Sequence, residues 1–318
     1  MDFSFRVYVN DEREYYEWKN ARSKRTIKKD FEFPQSLYDL MVLDMDPYYK
    51  FFVKMGEKLQ VLYERKDEMV IADLRKDFDK MAKIHLYFEF LKLEWNERLD
   101  HYEVDHYRDP RSSMYYKDLT HIPINLQLMG NKVRQFFSDV LDVTLPSPPF
   151  HEQMEGFYKT LQKSYDTGLL SKKITTGLEH IEEQAFREVL YAQEIFDIPC
   201  FLLRQIISTE LTFKKCKSCE KYFPATGHGN AEYCHRMYKN TGKTCKEIGA
   251  IVVYQEKVSK EPAIKAYNKA YKAHFARIKY KKMSKEAFQA WSEMARRMRD
   301  EVIAGTMHLE EYKEWLRR

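Results

Sequence analysis

The sequence predicts a mainly α protein in two parts, and three observations predict it. Glycine and proline are scarce, at 10 each in 318 residues, which disfavours a turn-rich all-β chain. Apolar residues recur at helical spacings through most of the length. Four of the five cysteines crowd into one stretch, Cys216 to Cys245, spaced C-x2-C-x14-C-x10-C. Cys216 and Cys219 form a C-x-x-C knuckle that offers two ligands from one tight turn, and Cys234 and Cys245 return as the second pair. That spacing predicts a structural Zn2+ site. The full expectation is a helical body with a short N-terminal strand over residues 1–212, then a basic, treble-clef-like zinc finger with trailing helices over residues 213–318.

From the N-terminus, Phe3, Phe5, Val7 and Val9 alternate with polar residues, the period of a half-buried strand. Asn10 and Asp11 resemble a helix cap, so Glu12 to Arg25 reads as helix, and an extended segment follows around Phe31–Phe33. Ser36 is placed to cap a turn over Leu37–Leu43, and Asp46-Pro47 opens the next helix. Residues 68–107 present an apolar face on one long helix, or two, through Met69, Leu74, Phe78, Met81, Phe88 and Leu91.

Asp109-Pro110 and Ile122-Pro123 read as breaks, with a helix from about Asn125 to Asp142. The proline cluster Pro146, Pro148 and Pro149 is the best linker candidate in this region, since proline is excluded from helix interiors. Helices are expected at about Glu152–Tyr165 and Leu178–Ala192. The apolar run 198–212 reads as a buried helix in which Cys200 is a core thiol.

Within the cysteine stretch, Lys221-Tyr222-Phe223 reads as a strand, with Pro224, Gly227 and Gly229 in the turn that follows. Cys245 opens a helix with Ile248, Ile251, Val252, Gln255 and Val258 on one face. Pro262 opens the next, striped by Ile264, Tyr267, Tyr271, Phe275 (or His274) and Ile278. Ser284 caps a third helix, Gly305 ends it, and a last turn spans Leu309 to Leu316.

The segment from about Phe213 to the C-terminus resembles an uncharacterised bacterial family of unknown function. The residues that carry the resemblance are Cys216-x-x-Cys219, Tyr222-Phe223-Pro224, Glu232-Tyr233-Cys234, Cys245-Lys-Glu-Ile248-Gly249-Ala250 and Tyr254-Gln-Glu-Lys257. More loosely, the cysteine segment is similar to the CGNR-type zinc finger of bacterial regulators, where a cysteine-bearing ribbon precedes a basic helix thought to touch DNA. Here the last two cysteines stand ten residues apart and no Cys-Gly-Asn-Arg run is present.

Charge is unevenly placed. The chain carries +5 in all, yet residues 211–285 hold 18 Lys and Arg against 5 Asp and Glu. An acidic body joined to a basic metal segment predicts a polyanion partner. The candidate nucleic-acid contacts are Lys215, Lys221, Arg236, Lys239, Lys243, Lys265, Lys269 and Lys272. Lysine grips phosphates without reading bases, so backbone-dominated, salt-sensitive binding is expected, with DNA favoured. Tyr267, Tyr271 and Phe275 fit base stacking or core packing, and their helical spacing favours the core. His228 and His235 are alternates to the cysteine ligands.

Enzyme signatures are absent from the sequence. There is no Gly-rich phosphate loop, no His-Glu-x-x-His and no Gly-x-Ser-x-Gly, and no histidine has an arginine five to seven places before it. Asp100, His101, Glu103, Asp105, His106 and Asp109 offer only a weak divalent-ion site for a metal-dependent nuclease. No apolar run of about 18 residues marks a membrane span. The N-terminal residues lack the apolar core of a signal peptide, and the cysteine pattern suits a reducing cytoplasm. The expected function is therefore a non-enzymatic, zinc-stabilised nucleic-acid-binding protein, regulatory or defence-related. The alternative is a protein-interaction module, binding a protein partner or a second copy, in which zinc only staples the fold.

Overall fold

The computed structural model of the chain describes residues 3–10, 12–19, 25–102, 115–144, 148–163, 168–182, 185–225 and 231–317. The chain divides into two compact units. The first comprises Met1–Lys214 with Pro224–Gly227, and the second comprises Lys215–Phe223 with His228–Arg318.

The first unit is built on a five-stranded antiparallel sheet. Its strands are β1 (Ser4–Asn10), β2 (Arg13–Lys19), β3 (Ile27–Glu32), β4 (Thr176–Glu182) and β5 (Ala185–Tyr191), in the order β3-β2-β1-β5-β4. The strand expected at the N-terminus is thus the centre of a sheet, paired as Val7↔Tyr16 on one side and Val7↔Leu190 on the other. Phe5, Val7, Tyr16, Trp18 and Leu190 are buried, and Phe5 stacks on Trp18 at 5.6 Å. Elsewhere on the sheet, Glu17 takes Arg6 at 3.4 Å and Lys28 at 2.7 Å.

Helices complete this unit: α1 (Gln35–Val42), α2 (Tyr49–Arg65), α3 (Ile71–Met81), α4 (Phe88–Asp100), α5 (Tyr115–Phe136, closed by a π-turn at Phe137–Leu141), α6 (Phe150–Lys163), the short α7 (Gly168–Ser171) and α8 (Asp197–Ser208). Helix α5 packs on α1 and α2, and α8 packs on β1 and β5. Gly130 on α5 lets the α1 backbone approach, since a Cβ there would meet the Leu40 carbonyl oxygen at 2.5 Å. Cys200 lies fully buried in α8, as a core thiol should.

Four expectations are corrected. The helix expected over Glu12–Arg25 is strand β2 where described, and the helix expected over Leu178–Ala192 is the hairpin β4–β5. The first segment carries Tyr15, Tyr16 and Trp18, the second carries Ile181, Phe186, Val189 and Tyr191, and pairing of β2 and β5 with β1 favours the strand. Pro123 does not break the chain but sits inside α5. Ser36 does not cap α1, because its hydroxyl donates to Glu14 at 3.0 Å inside a buried cluster with Tyr16 and Tyr87. Of the two readings for residues 68–107, two helices are observed over the described part.

The second unit holds the cysteine stretch and four helices: α9 (Cys245–Lys260), α10 (Pro262–Lys279), α11 (Lys285–Ile303) and α12 (Leu309–Arg317). The last three pack around Ala263, Tyr267, Ala295, Tyr312 and Leu316. On α10 it is His274, not Phe275, that enters this interior. The His274 ring stacks on Trp291 at 3.9 Å, while Phe275 is 57% exposed. On α9, Ile248 and Val252 pack against the cysteines, while Ile251 faces solvent.

Candidate metal centre

Two strands, β6 (Phe213–Lys215) and β7 (Tyr222–Pro224), pair and hold the knuckle between them. The turn closes tightly. The Cys216 amide donates to the Lys221 carbonyl at 3.0 Å, and the Glu220 amide donates to the Cys216 carbonyl at 2.8 Å. Glu220 takes a positive φ of 58° to finish it.

The second cysteine pair is brought together by a smaller loop. Met237 and Thr244 form an antiparallel bridge, and the turn between them uses positive φ at Lys239 and Gly242. The Cys245 amide then donates to the Arg236 carbonyl at 2.9 Å. The ten-residue gap between Cys234 and Cys245 is therefore a closed turn that returns the chain two residues past its start. Thr244 caps α9 in a capping box with Glu247, which places Cys245 at the first helical position.

These devices gather four sulfurs. Those of Cys216, Cys219, Cys234 and Cys245 all lie within 4.8 Å of one another. Cys219 and Cys234 are 3.7 Å apart, too far for a disulfide, and all five cysteines of the chain are free thiols. Cys216, Cys234 and Cys245 are buried, and Cys219 is partly exposed. The Cys234 amide donates to the Cys216 sulfur at 3.4 Å. Cys219 is pushed down to about 5, first by the Cys234 thiol donating to it and then by the Lys221 backbone. Cys234 is pushed up because it holds the proton shared with Cys219, and burial pushes Cys245 up to about 11. Four sulfurs this close share protons when alone and lose them together when a cation sits among them. The arrangement is a cluster that could hold a metal ion.

Of the alternates, His235 is exposed and outside the sulfur group, and His228 lies outside the described residues. Phe223 and Tyr238 are buried against the cysteines and keep water from the cluster.

The candidate nucleic-acid residues are placed as follows. Lys215, Lys221, Lys239 and Lys243 are exposed around the cysteines, and Lys265, Lys269 and Lys272 are exposed along α10. Lys215 reaches over the Tyr222 ring at 5.1 Å and Lys239 over the Tyr238 ring at 5.0 Å. Arg236 differs from these: it is half-buried and donates from Nη1 to the Tyr222 carbonyl at 2.7 Å, tying the second cysteine pair to β7. Tyr267 is buried, so the core reading holds for it, while Phe275 lies open to solvent. Asp100 is ion-paired with Arg75, and Glu103, Asp105, His106 and Asp109 lie outside the described residues.

Two parts of the site escaped sequence reasoning. Tyr233 packs on Gly249, a contact whose only sequence signal is a glycine inside a helix. Arg277, Lys313 and Arg317 join Lys265 and Lys269 around one cleft; for the α12 pair the signal is the i, i+4 spacing of Lys313 and Arg317.

No helix among the described residues is long and apolar enough to cross a membrane. No curated protein and no solved structure matches the chain. The model of a family of unknown function, DUF6076, matches residues 179–317, the C-terminal portion that carries all four clustered cysteines.

Proposed function

We propose that this chain is a non-enzymatic nucleic-acid-binding protein whose basic C-terminal part, residues 213–318, is held by one structural Zn2+. Cys216, Cys219, Cys234 and Cys245 would supply its ligands. A tetrahedron of thiolates about 2.3 Å from zinc has edges of about 3.8 Å, beside the 3.7 Å between Cys219 and Cys234 and the 4.8 Å that bounds the whole cluster. Four cysteines fill the shell and leave no open position for a catalytic water, so the ion's role is to fold the segment. A knuckle followed by a ligand-bearing helix N-terminus is the arrangement of a treble-clef finger.

The observation that carries the nucleic-acid reading is the ring of exposed lysines around the cysteine cluster, continued by those of α10. Lys221, Lys239 and Lys243 stand where phosphates could reach them, and DNA is the favoured partner. The setting would be regulatory or defence-related, in a reducing cytoplasm.

The test is a gel shift of the zinc-loaded chain with duplex DNA, single-stranded DNA and RNA. The variant carries Lys221→Glu, Lys239→Glu and Lys243→Glu. Zinc content is measured in each preparation, because a zinc tetrathiolate is itself anionic and gains from nearby lysines. Binding that is lost with zinc retained supports the proposal. Absence of a shift with every nucleic acid rejects it. A second reading, docking of a protein partner or a second copy, is favoured by the exposure of Ile251, Tyr254 and Phe275 on this unit. It predicts a complex that survives added salt.

A further inference from the structure

A cleft of about 500 Å³ opens between α10 and α12. One wall carries Lys265, Lys269 and Arg277, and the other carries Lys313 and Arg317. Among the described residues no acidic side chain lines it. Lys313 pairs with Glu310 at 2.7 Å, outside the lining. The other four cations have no carboxylate within ion-pair distance among the described residues. Four like charges around one small recess repel one another, and a bound anion relieves that repulsion.

The recess exists because three positions on the α10 wall carry only methyl groups. Ala266, Ala270 and Ala273 form an apolar floor between the charged rims. One of the cations is also oriented in advance. The His274 Nδ1–H donates to the Ala270 carbonyl at 3.1 Å, which leaves Nε2 to accept from Arg277 Nη1 at 3.0 Å. Burial keeps that imidazole neutral by lowering its pKa, and the stack on Trp291 fixes its plane. The Arg277 guanidinium is held at the cleft by a group that takes none of its charge.

We propose that the α10–α12 cleft is a phosphate site for a ligand of nucleotide size. Several phosphate oxygens would accept from the lysine ammonium groups and the arginine fork, and the less polar part of the ligand would lie on the alanine floor. The phosphates can come from a free nucleotide or from a nucleic-acid strand. No aromatic ring lines the cleft except His274, so bases are not stacked there. The inference shares Lys265 and Lys269 with the reading above but does not depend on it, since lysines around the cysteines can bind a strand whether or not this cleft is used.

The experiment is isothermal titration of the full, metal-loaded chain with inorganic triphosphate, ATP and a short single-stranded oligonucleotide. Triphosphate and ATP should bind. Lys269→Glu with Arg277→Glu should weaken both by about tenfold or more. Arg297→Glu, an exposed charge on α11 outside the cleft, should change neither. Ala273→Leu fills an exposed part of the floor without altering charge and should weaken ATP more than triphosphate. An oligonucleotide that displaces ATP assigns the site to strand phosphates, and one that leaves ATP bound assigns it to free nucleotide. No binding of triphosphate or ATP overturns the proposal, as does equal weakening by Arg297→Glu. If the oligonucleotide still binds in that case, the nucleic-acid reading survives and the cleft does not.

Discussion

The ring of Tyr233 lies directly over Gly249, so close that a Cβ on Gly249 would fall 2.2 Å from the ring's Cδ1. Tyr233 precedes Cys234 of the cluster, and Gly249 lies one helical turn beyond Cys245 of the cluster. The contact therefore locks the loop of one cysteine onto the helix of the other.

Gly249→Ala should accordingly destabilise the C-terminal unit and weaken its metal affinity. Helix propensity alone would reward alanine by about 1 kcal/mol, but overpacking against a ring costs roughly 1–3 kcal/mol. The clash should win. In a Tyr233→Ala background the same substitution should become neutral or stabilising. Chemical denaturation of the four proteins checks this, and an identical cost for Gly249→Ala in both backgrounds would refute the contact.

Metal removal should expose the cysteines in a set order. With metal bound, none of the four clustered thiols should react with an alkylating agent, because each would be coordinated. After chelation all four should react, the partly exposed Cys219 first. Cys200, buried in α8 with its pKa pushed up to about 11, should stay unmodified until the body unfolds. Mass spectrometry with and without chelator reads this directly, and equal reactivity in the two conditions would rule out a bound ion.

The cap of α9 should matter to the metal more than to the helix. Thr244→Ala removes the acceptor for the Glu247 amide and costs about 1 kcal/mol. Since Cys245 follows immediately, part of that cost should appear as weaker zinc binding, about fivefold for 1 kcal/mol. Competition with a chromogenic chelator measures it. Thr244→Ser should restore affinity, and a Ser variant as weak as Ala would contradict the capping role.

In the body, Glu14 should make stability fall as pH rises. Burial first of all pushes its pKa up to about 8, although Ser36 donates to it from both N and Oγ. Unfolded, the group titrates near its ordinary value of 4.5. Between those values the folded chain holds a proton that the unfolded chain has lost, so stability declines from about pH 4.5 to 8 and levels off above. At about 1.4 kcal/mol per pH unit the total is on the order of 3–5 kcal/mol. Glu14→Gln should remove that slope, as read by urea denaturation at pH 5 and pH 8. A variant with the same slope as the parent would place the titration elsewhere.

The same residue shows why part of the fold was illegible in the sequence. Strand β2 puts Glu14 on its buried side beside Tyr16 and Trp18, so the apolar alternation of a strand is broken by a carboxylate. In β4–β5, Leu178 and Phe186 face solvent, which erases the pattern there too. The partner that makes both segments strands is β1, and its pairing with β5 joins residues some 180 positions apart. The cysteine cluster was legible for the opposite reason. Its four cysteines lie within one short stretch, and metal-ligand chemistry restricts such spacings more tightly than packing restricts a core. The α10–α12 cleft was half legible, since Lys265 and Lys269 stood out on a helical face, but its second wall belongs to a helix about 40 residues on.

The central claim is that the metal-held unit grips nucleic acid through its phosphates. The most direct measurement is fluorescence anisotropy of labelled duplex DNA, single-stranded DNA and RNA with the zinc-loaded chain, across a salt series from about 50 to 200 mM. For three or four phosphate contacts, log K should fall with log salt at a slope of about −3, and chelating the zinc should abolish binding. Binding that ignores both salt and chelator, or no binding to any of the three, would contradict the claim.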